Sequence, residues 1–315
     1  MNRRTLLFRL GLFGAAVGGG VLLRDRVIWR PPDVTFVSDD WQEWAEPRVD
    51  SPTVDVTVNG QPVRALIDSG AQYSVIDRSF FERLNIADAF NMPVLAYGVG
   101  GMPQLGRGTT LTVQVGGARI DRLQTGILDL GALALDTGLG TPLILGQDVL
   151  GEALLDMDLT PRKRERRRLR LLASETTAPA GLVRFEVRRA GRSLKTPVLV
   201  EGNLIEAVVD TGSTSMLALS EGAARRVGVL DGRTQTPGTS LVLGGVMRTR
   251  IVETSSLRIG GVDYGPAQTP IYPGLPVPGF PRALLGMAAF RHRRVLLDLK
   301  TARLFSSQPL DLLIG

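Results

Sequence analysis

Twice in this chain an apolar run ends in a carboxylate followed by a hydroxyl residue and a glycine. The two stretches are Ala65-Leu66-Ile67-Asp68-Ser69-Gly70-Ala71 and Ala207-Val208-Val209-Asp210-Thr211-Gly212-Ser213. A buried strand seldom ends on an acid, because desolvating a carboxylate costs several kcal/mol unless a charge, a proton or a hydrogen bond compensates. Its occurrence twice suggests that Asp68 and Asp210 compensate each other. Ser69 or Thr211 then supplies a hydroxyl that braces the turn, and Gly70 or Gly212 permits positive φ and close backbone approach. The expected geometry presents the two carboxylates face to face.

The surroundings of the two stretches repeat as well. Thr53–Val58, the turn Asn59-Gly60 and Pro62–Ile67 alternate as a β-hairpin that delivers Asp68. Pro197–Val200, the turn Glu201-Gly202-Asn203 and Leu204–Val209 deliver Asp210 in the same order. Gly100-Gly101 begins 32 residues after Asp68, and Gly244-Gly245 begins 34 after Asp210, each between apolar runs that read as hairpin arms. Leu143-Ile144-Leu145-Gly146 ends 78 residues after Asp68, and Ala283-Leu284-Leu285-Gly286 ends 76 after Asp210. A short helical stretch and a closing strand, Leu154–Met157 or Val295–Asp298, follow each one. The pattern predicts two lobes of one plan.

Composition narrows the class. With 37 Gly, 19 Pro and many short β-branched runs, the 315 residues favour strands and turns, and 43% apolar content suffices for two cores. The absence of cysteine excludes a thiolate nucleophile and a cysteine metal site. A His-rich metal site is excluded by the single histidine, His292. A serine triad would rest on that imidazole, which sits in Arg291-His292-Arg293-Arg294 and reads as a solvated turn. The net charge of +6 comes from clustered arginines and is not a nucleic-acid signature.

Residues 1–30 read as an export signal or membrane anchor: Arg3-Arg4 precede an uninterrupted apolar run from Leu10 to Leu23, with no A-x-A cleavage site after it. The paired arginines resemble a twin-arginine signal, and the expected location is periplasmic, with possible retention at the inner membrane. Residues 31–52, rich in proline and acids and carrying Trp41 and Trp44, read as an arm whose tryptophans dock on a lobe. The first lobe is expected over 53–175, a linker over 176–181 and the second lobe over 182–315. Pro161–Arg168 is an arginine-rich insertion, read as a solvated hairpin loop or as a contact for anionic lipid.

These motifs together resemble the aspartic proteases, and more closely their retropepsin-like bacterial branch, present as two copies in one chain over roughly 50–310. Asp68-Ser69-Gly70-Ala71 with Ser74-Val75-Ile76 resembles the retropepsin active-site strand, and Asp210-Thr211-Gly212-Ser213 the pepsin version. Ile144-Leu145-Gly146 and Leu284-Leu285-Gly286 are similar to the family's supporting element. A third match, Asp136-Thr137-Gly138, runs into the turn sequence Leu139-Gly140-Thr141-Pro142 and is read as a loop decoy. Gln72, where retropepsins carry an acid, and Asp148, whose counterpart is Ala288, depart from the pattern.

The resemblance implies an all-β fold of two pseudo-symmetric closed-barrel lobes, with short helices after each Leu-Gly element. It implies an aspartic endopeptidase with Asp68 and Asp210 as catalytic dyad, supported by Ser69, Gly70, Thr211 and Gly212, and needing no cofactor or metal. Tyr97 with Gly100 and Gly101 resembles the family's flap, and Gly244 with Gly245 forms the matching tip. The implied partner is a polypeptide bound extended between dyad and flaps, and the chain is expected to be a monomer with an internal pseudo-dimer. Two rivals remain at this stage. One is a catalytically silent periplasmic binding or scaffold module, and the other a homodimer with a site between chains, which the second copy makes unnecessary.

Overall fold

The computed structural model describes residues 10–12, 30–47, 49–86, 89–97, 103–160, 167–243, 245–274 and 280–307, with 10–12 and 89–97 described as backbone. Alternation shapes the first hairpin. In Thr53–Val58 the three valines are buried while Asp55 faces solvent. Asn59 (φ 48°) and Gly60 (φ 83°) both adopt the left-handed conformation that a tight two-residue turn needs, setting Thr53 opposite Leu66. In the second hairpin, Ser193–Val200 with Asn203–Val209, Glu201 (φ 49°) and Gly202 (φ 75°) do the same.

Six strands of the first lobe close into a barrel. Around the ring, Thr53–Val58 pairs with Gln61–Ile67, which runs parallel to Leu143–Leu145. Next come Val75–Asp77, Ala118–Leu128 and Pro103–Val115, and the last returns to Thr53–Val58. The second lobe repeats this order with Ser193–Val200, Asn203–Val209, Ala283–Leu285, Leu217–Ser220, Ala267–Tyr272 and Gly245–Thr254. Its sixth strand is broken after Thr254 and resumes as Leu257–Ile259, which pairs with Ser193–Val200. The ring there closes through the chain itself. Glu201 fills the break: its amide donates to Ser256 O at 3.0 Å and its carboxylate accepts from the Ser255 amide, while Arg233 holds it at 2.8 Å. In the first lobe the same place is a bulge between Leu111 and Val113, where Thr112 exchanges two 2.8 Å bonds with Asn59.

A third sheet joins the lobes. Its order is Leu182–Arg184, Arg303–Ser307, Arg294–Asp298, Leu154–Asp158, Arg168–Leu172 and Gln42–Glu43, so the arm supplies an edge strand. At the seam Leu154–Asp158 lies antiparallel to Arg294–Asp298. Asp156, fully buried, is clamped from both sides by Arg170 (3.0 Å) and by Arg294 (3.0 and 2.7 Å). Trp41 lies beneath the guanidinium groups of Arg168, Arg170 and Arg294, 4.6, 4.4 and 5.5 Å from its ring, and Arg167 covers the buried Trp44 at 4.4 Å. The arm is held at this sheet through its tryptophans.

Residues 161–166 of the arginine-rich insertion lie outside the described residues. Arg167 and Arg168 at its foot turn inward, paired with Asp50 and Asp158. Of Met1–Leu23, only Leu10–Leu12 is described, a short strand parallel to Thr239–Leu241. Among the described residues no helix is long and apolar enough to cross a membrane.

Removing the Asp156 carboxylate leaves two half-buried guanidinium groups facing each other across the seam. Asp156→Ala is expected to lower unfolding stability by about 2–3 kcal/mol, read as a fall in the denaturant midpoint.

Candidate active site

Each hairpin lifts its acid to the same height. The Asp68 amide donates to Leu145 O and the Asp210 amide to Leu285 O, both at 2.9 Å, so each Leu-Gly element fixes the neighbouring aspartate. The backbone then turns sharply toward the other lobe, where the hydroxyls cross over. Ser69 Oγ donates to Val209 O (2.8 Å) and accepts from the Thr211 amide (3.0 Å). Thr211 Oγ1 donates to Ile67 O (2.7 Å) and accepts from the Ser69 amide (2.9 Å). Four bonds thus link the strand ends, and Ser51 Oγ adds a fifth to Gly212 O at 2.8 Å.

The glycines face the opposite carboxylates. A Cβ on Gly70 would sit 2.6 Å from Asp210 Oδ1, and one on Gly212 would sit 2.6 Å from the Asp68 carboxyl. Neither glycine has positive φ. That part of the expectation is corrected: the positions demand glycine for room. Gly146 and Gly286 meet the same constraint from below, since a Cβ would stand 2.7 Å from Ala71 O in one and 2.3 Å from Ser215 O in the other.

Asp68 is fully buried and Asp210 nearly so. Asp68 Oδ1 accepts from the amides of Gly70 (2.7 Å) and Ala71 (3.2 Å). Asp210 Oδ1 is buried with no hydrogen-bond partner among the described residues. Burial pushes the Asp210 carboxyl well above the usual carboxylate range, and the charge of Asp68 and a hydrogen bond with it push in the same direction. The amides of Gly212 and Ser213 oppose this more weakly. The two acids therefore share one environment and ionise as a pair.

Asp148, a departure in the sequence pattern, is built into the first copy's support. It is buried and accepts from the Ser74 amide (2.9 Å), Ser74 Oγ (2.7 Å) and the Val149 amide (3.1 Å), while Ser74 Oγ accepts from the Gly146 amide (3.1 Å). Burial raises its pKa, and these bonds together with the charge of Arg192 pull it back. Beside it, Gln147 Nε2 donates to Ser69 O at 2.7 Å. The positions matching Ser74, Gln147 and Asp148 in the second copy are Met216, Met287 and Ala288. That joint exchange of polar for apolar residues was the signal available in the sequence.

Tyr272 was not foreseen. It is fully buried in the second lobe, donates to Pro281 O at 2.8 Å, and has its pKa raised well above normal by burial and then by the charge of Asp210.

The remaining site candidates lie around this centre. The decoy Asp136 is exposed in a turn. Its loop nevertheless has a packing role, because Leu130, Leu133 and Leu139 enclose Leu241 and Leu243 from the second lobe's hairpin. Gly245 (φ 149°) lies at the start of that hairpin's return strand, and Gly244 lies outside the described residues. Tyr97 ends the strand Ala89–Tyr97 opposite Pro103, whereas Gly100 and Gly101 lie outside the described residues. Apolar Leu105 and Val246 stand exposed near the two tips. His292 is an exposed turn residue at φ 63°.

Two barrels meeting at crossed Asp-Ser-Gly and Asp-Thr-Gly turns define the bilobal, all-β fold of the aspartic proteases. The family model for aspartyl proteases matches residues 54–149 and again 196–289, together more than half of the chain. The chain belongs to the aspartyl protease family and carries the retropepsin-like unit twice in tandem. Comparison with curated proteins yields no match.

The raised pKa of Asp210 carries a sign for stability. Folding favours its protonated form, so the contribution is fully present below the unfolded value of 3.8 and is lost as pH rises through the folded value. Asn at position 210 stays neutral throughout. Thermal unfolding followed from about pH 4 to about pH 8 should show Asp210→Asn gaining on wild type as pH rises.

Proposed function

We propose that the chain is an aspartic endopeptidase. The observation that carries this reading is the pair of buried carboxylates, each against the other's glycine, linked by reciprocal hydroxyl bonds. Two such acids cannot both ionise cheaply, so they hold one proton between them. This reading takes Asp210, whose carboxyl is pushed up by burial and by the charge of Asp68, as the acid and Asp68 as the base.

A water molecule bound between them loses a proton to Asp68 as its oxygen attacks the scissile carbonyl carbon, while Asp210 donates its proton to the carbonyl oxygen. Collapse of the resulting gem-diol returns a proton to Asp210 and delivers the other to the leaving nitrogen, which breaks the C–N bond. No redox step or cofactor enters this sequence. The substrate lies extended beneath the hairpins, its main chain adding as a strand. Leu105 and Val246 offer apolar contact on the described parts of the two hairpins, and Tyr97, Gly100 and Gly101 are the flap residues of this reading. No observation favours the silent-module reading.

Hydrolysis of a peptide library by the full-length protein tests this proposal. Asp68→Asn and Asp210→Asn are each expected to lose at least about a hundredfold in kcat/KM, since each removes one partner of the acid–base pair. Asp136→Asn should retain full activity. Wild-type rates in either dyad variant would overturn the assignment, and activity recovered only on mixing the two variants would place the site between chains.

The same reading places the enzyme in the periplasm, exported or anchored by Met1–Leu23, as a monomer. The support is Arg3-Arg4 ahead of the Leu10–Leu23 apolar run. Fractionation with an alkaline carbonate wash is expected to leave the full-length protein in the inner membrane or a shortened form in the periplasm. Full-length protein in the cytosol would refute export.

A further inference from the structure

Alternation along three neighbouring strands of the first lobe gives them two apolar faces. Ala65, Ile67, Ile76, Leu143 and Leu145 point into the barrel core, whereas Leu66, Val75 and Ile144 belong to a second cluster on the opposite face. Register sets these three side by side, with Ile144 between Leu66 and Val75. Asp68 follows Leu66 by two residues and emerges on the same face. Ala71, whose amide donates to Asp68 Oδ1 at 3.2 Å, is in this cluster too, so an apolar floor runs up to the dyad. The second lobe repeats the floor beside Asp210 with Val208, Leu284 and Ala218 in the same register.

Both floors are covered by one stretch of chain. Leu241 and Leu243, at the end of the strand Gln235–Val242 and just after it, join the first lobe's cluster, while Val242 between them joins the second lobe's. Leu66, Val75 and Ile144 are at most 1% exposed beneath this cover. The hairpin is therefore wedged between the two floors, its successive side chains turned to opposite lobes. A substrate strand lying over the dyad would present its side chains in the same alternation. It and Leu241-Val242-Leu243 cannot use the floors together.

We propose that Leu241-Val242-Leu243 is an internal occupant of the cleft, and that the substrates are polypeptides whose apolar side chains, two residues apart, replace Leu241 and Leu243 on the first lobe's floor. The word substrate rests on the endopeptidase reading; the displacement itself needs no turnover. A polar side chain in place of either leucine would be buried on Leu66, Val75 and Ile144 without a partner, which sets the selectivity. Because the hairpin has to leave first, apparent affinity is reduced by the fraction of molecules whose floor is open.

The test uses a capped peptide of residues 239–243 and the same peptide with serine for both leucines. Full-length Asp68→Asn protein keeps the probe intact. Adding Leu243→Ser to it is expected to tighten binding of the leucine peptide at least about tenfold, with no binding of the serine peptide up to about 1 mM. Unchanged affinity in Leu243→Ser, equal binding of the two peptides, or no saturable binding of the leucine peptide would each overturn the proposal. Hydrogen exchange on Asp68→Asn with its native hairpin decides the matter even if Leu243→Ser fails to fold. The leucine peptide alone should speed exchange in Gln235–Val242 about tenfold, as displacement requires. Unchanged exchange would make the hairpin a fixed part of the interlobe core, and slowed exchange would make it a cover that closes with its leucines in place; either overturns the proposal. Displacement without hydrolysis by wild type would remove only the endopeptidase reading, whereas hydrolysis without displacement would remove only this one.

Discussion

Everything else in this molecule answers to the burial of two carboxylates at one point. Each acid makes the other costlier to ionise, and neither lobe completes its own turn without the other. Ser69 reaches Val209 O and the Thr211 amide, and Thr211 reaches Ile67 O and the Ser69 amide, so each turn is completed by atoms of the opposite copy. A net contribution of about 1 kcal/mol per bond would not by itself offset the desolvation. What the crossing supplies is position: it fixes two strand ends so that one proton can serve both acids. The third sheet, with Asp156 between Arg170 and Arg294, performs the same fixing at the opposite end of the interface.

Much of this was legible because it is local. A strand that alternates, a two-residue turn and an acid before a small residue are written within about ten residues, and their recurrence at spacings that agree to within two residues revealed two lobes of one fold. The decoy was legible for the same reason, since no strand leads out of Asp136-Thr137-Gly138. Other features depend on contacts that local pattern does not encode. Gly70 and Gly212 looked like positions for positive φ, but the reason for glycine there is a carboxylate arriving from 140 residues away in one case and 144 in the other. The break after Thr254 was hidden because Glu201, in a turn of ordinary appearance, completes the ladder from a distance. Leu241 and Leu243 read as the arm of a hairpin, and only the tertiary fold shows them packed against Leu133 and Leu139 of the other lobe.

Two copies in one chain are free to diverge, and the divergence here falls around the dyad. The first copy supports its acid with a polar set, Ser74, Gln147 and Asp148, while Met216, Met287 and Ala288 occupy the matching places in the second. The second carries Tyr272 next to Asp210 where the first has Leu128: Tyr272 is opposite Ser220 in its ladder as Leu128 is opposite Asp77. The second hairpin is packed on the first lobe through Leu241 and Leu243. A dimer of identical chains would have to present both acids in the same surroundings.

This asymmetry bears on the proton. In a symmetric pair the two carboxyls are equivalent and the shared proton has no preferred home. Here both acids accept two amides, Asp68 from Gly70 and Ala71 and Asp210 from Gly212 and Ser213, and the copies differ in the side chains around them, the second adding the buried Tyr272 hydroxyl near Asp210. Donors stabilise the charged form and burial the neutral one, and at Asp210 burial is the larger effect. The copies have thus diverged in the second layer of side chains while leaving the two aspartates themselves unchanged.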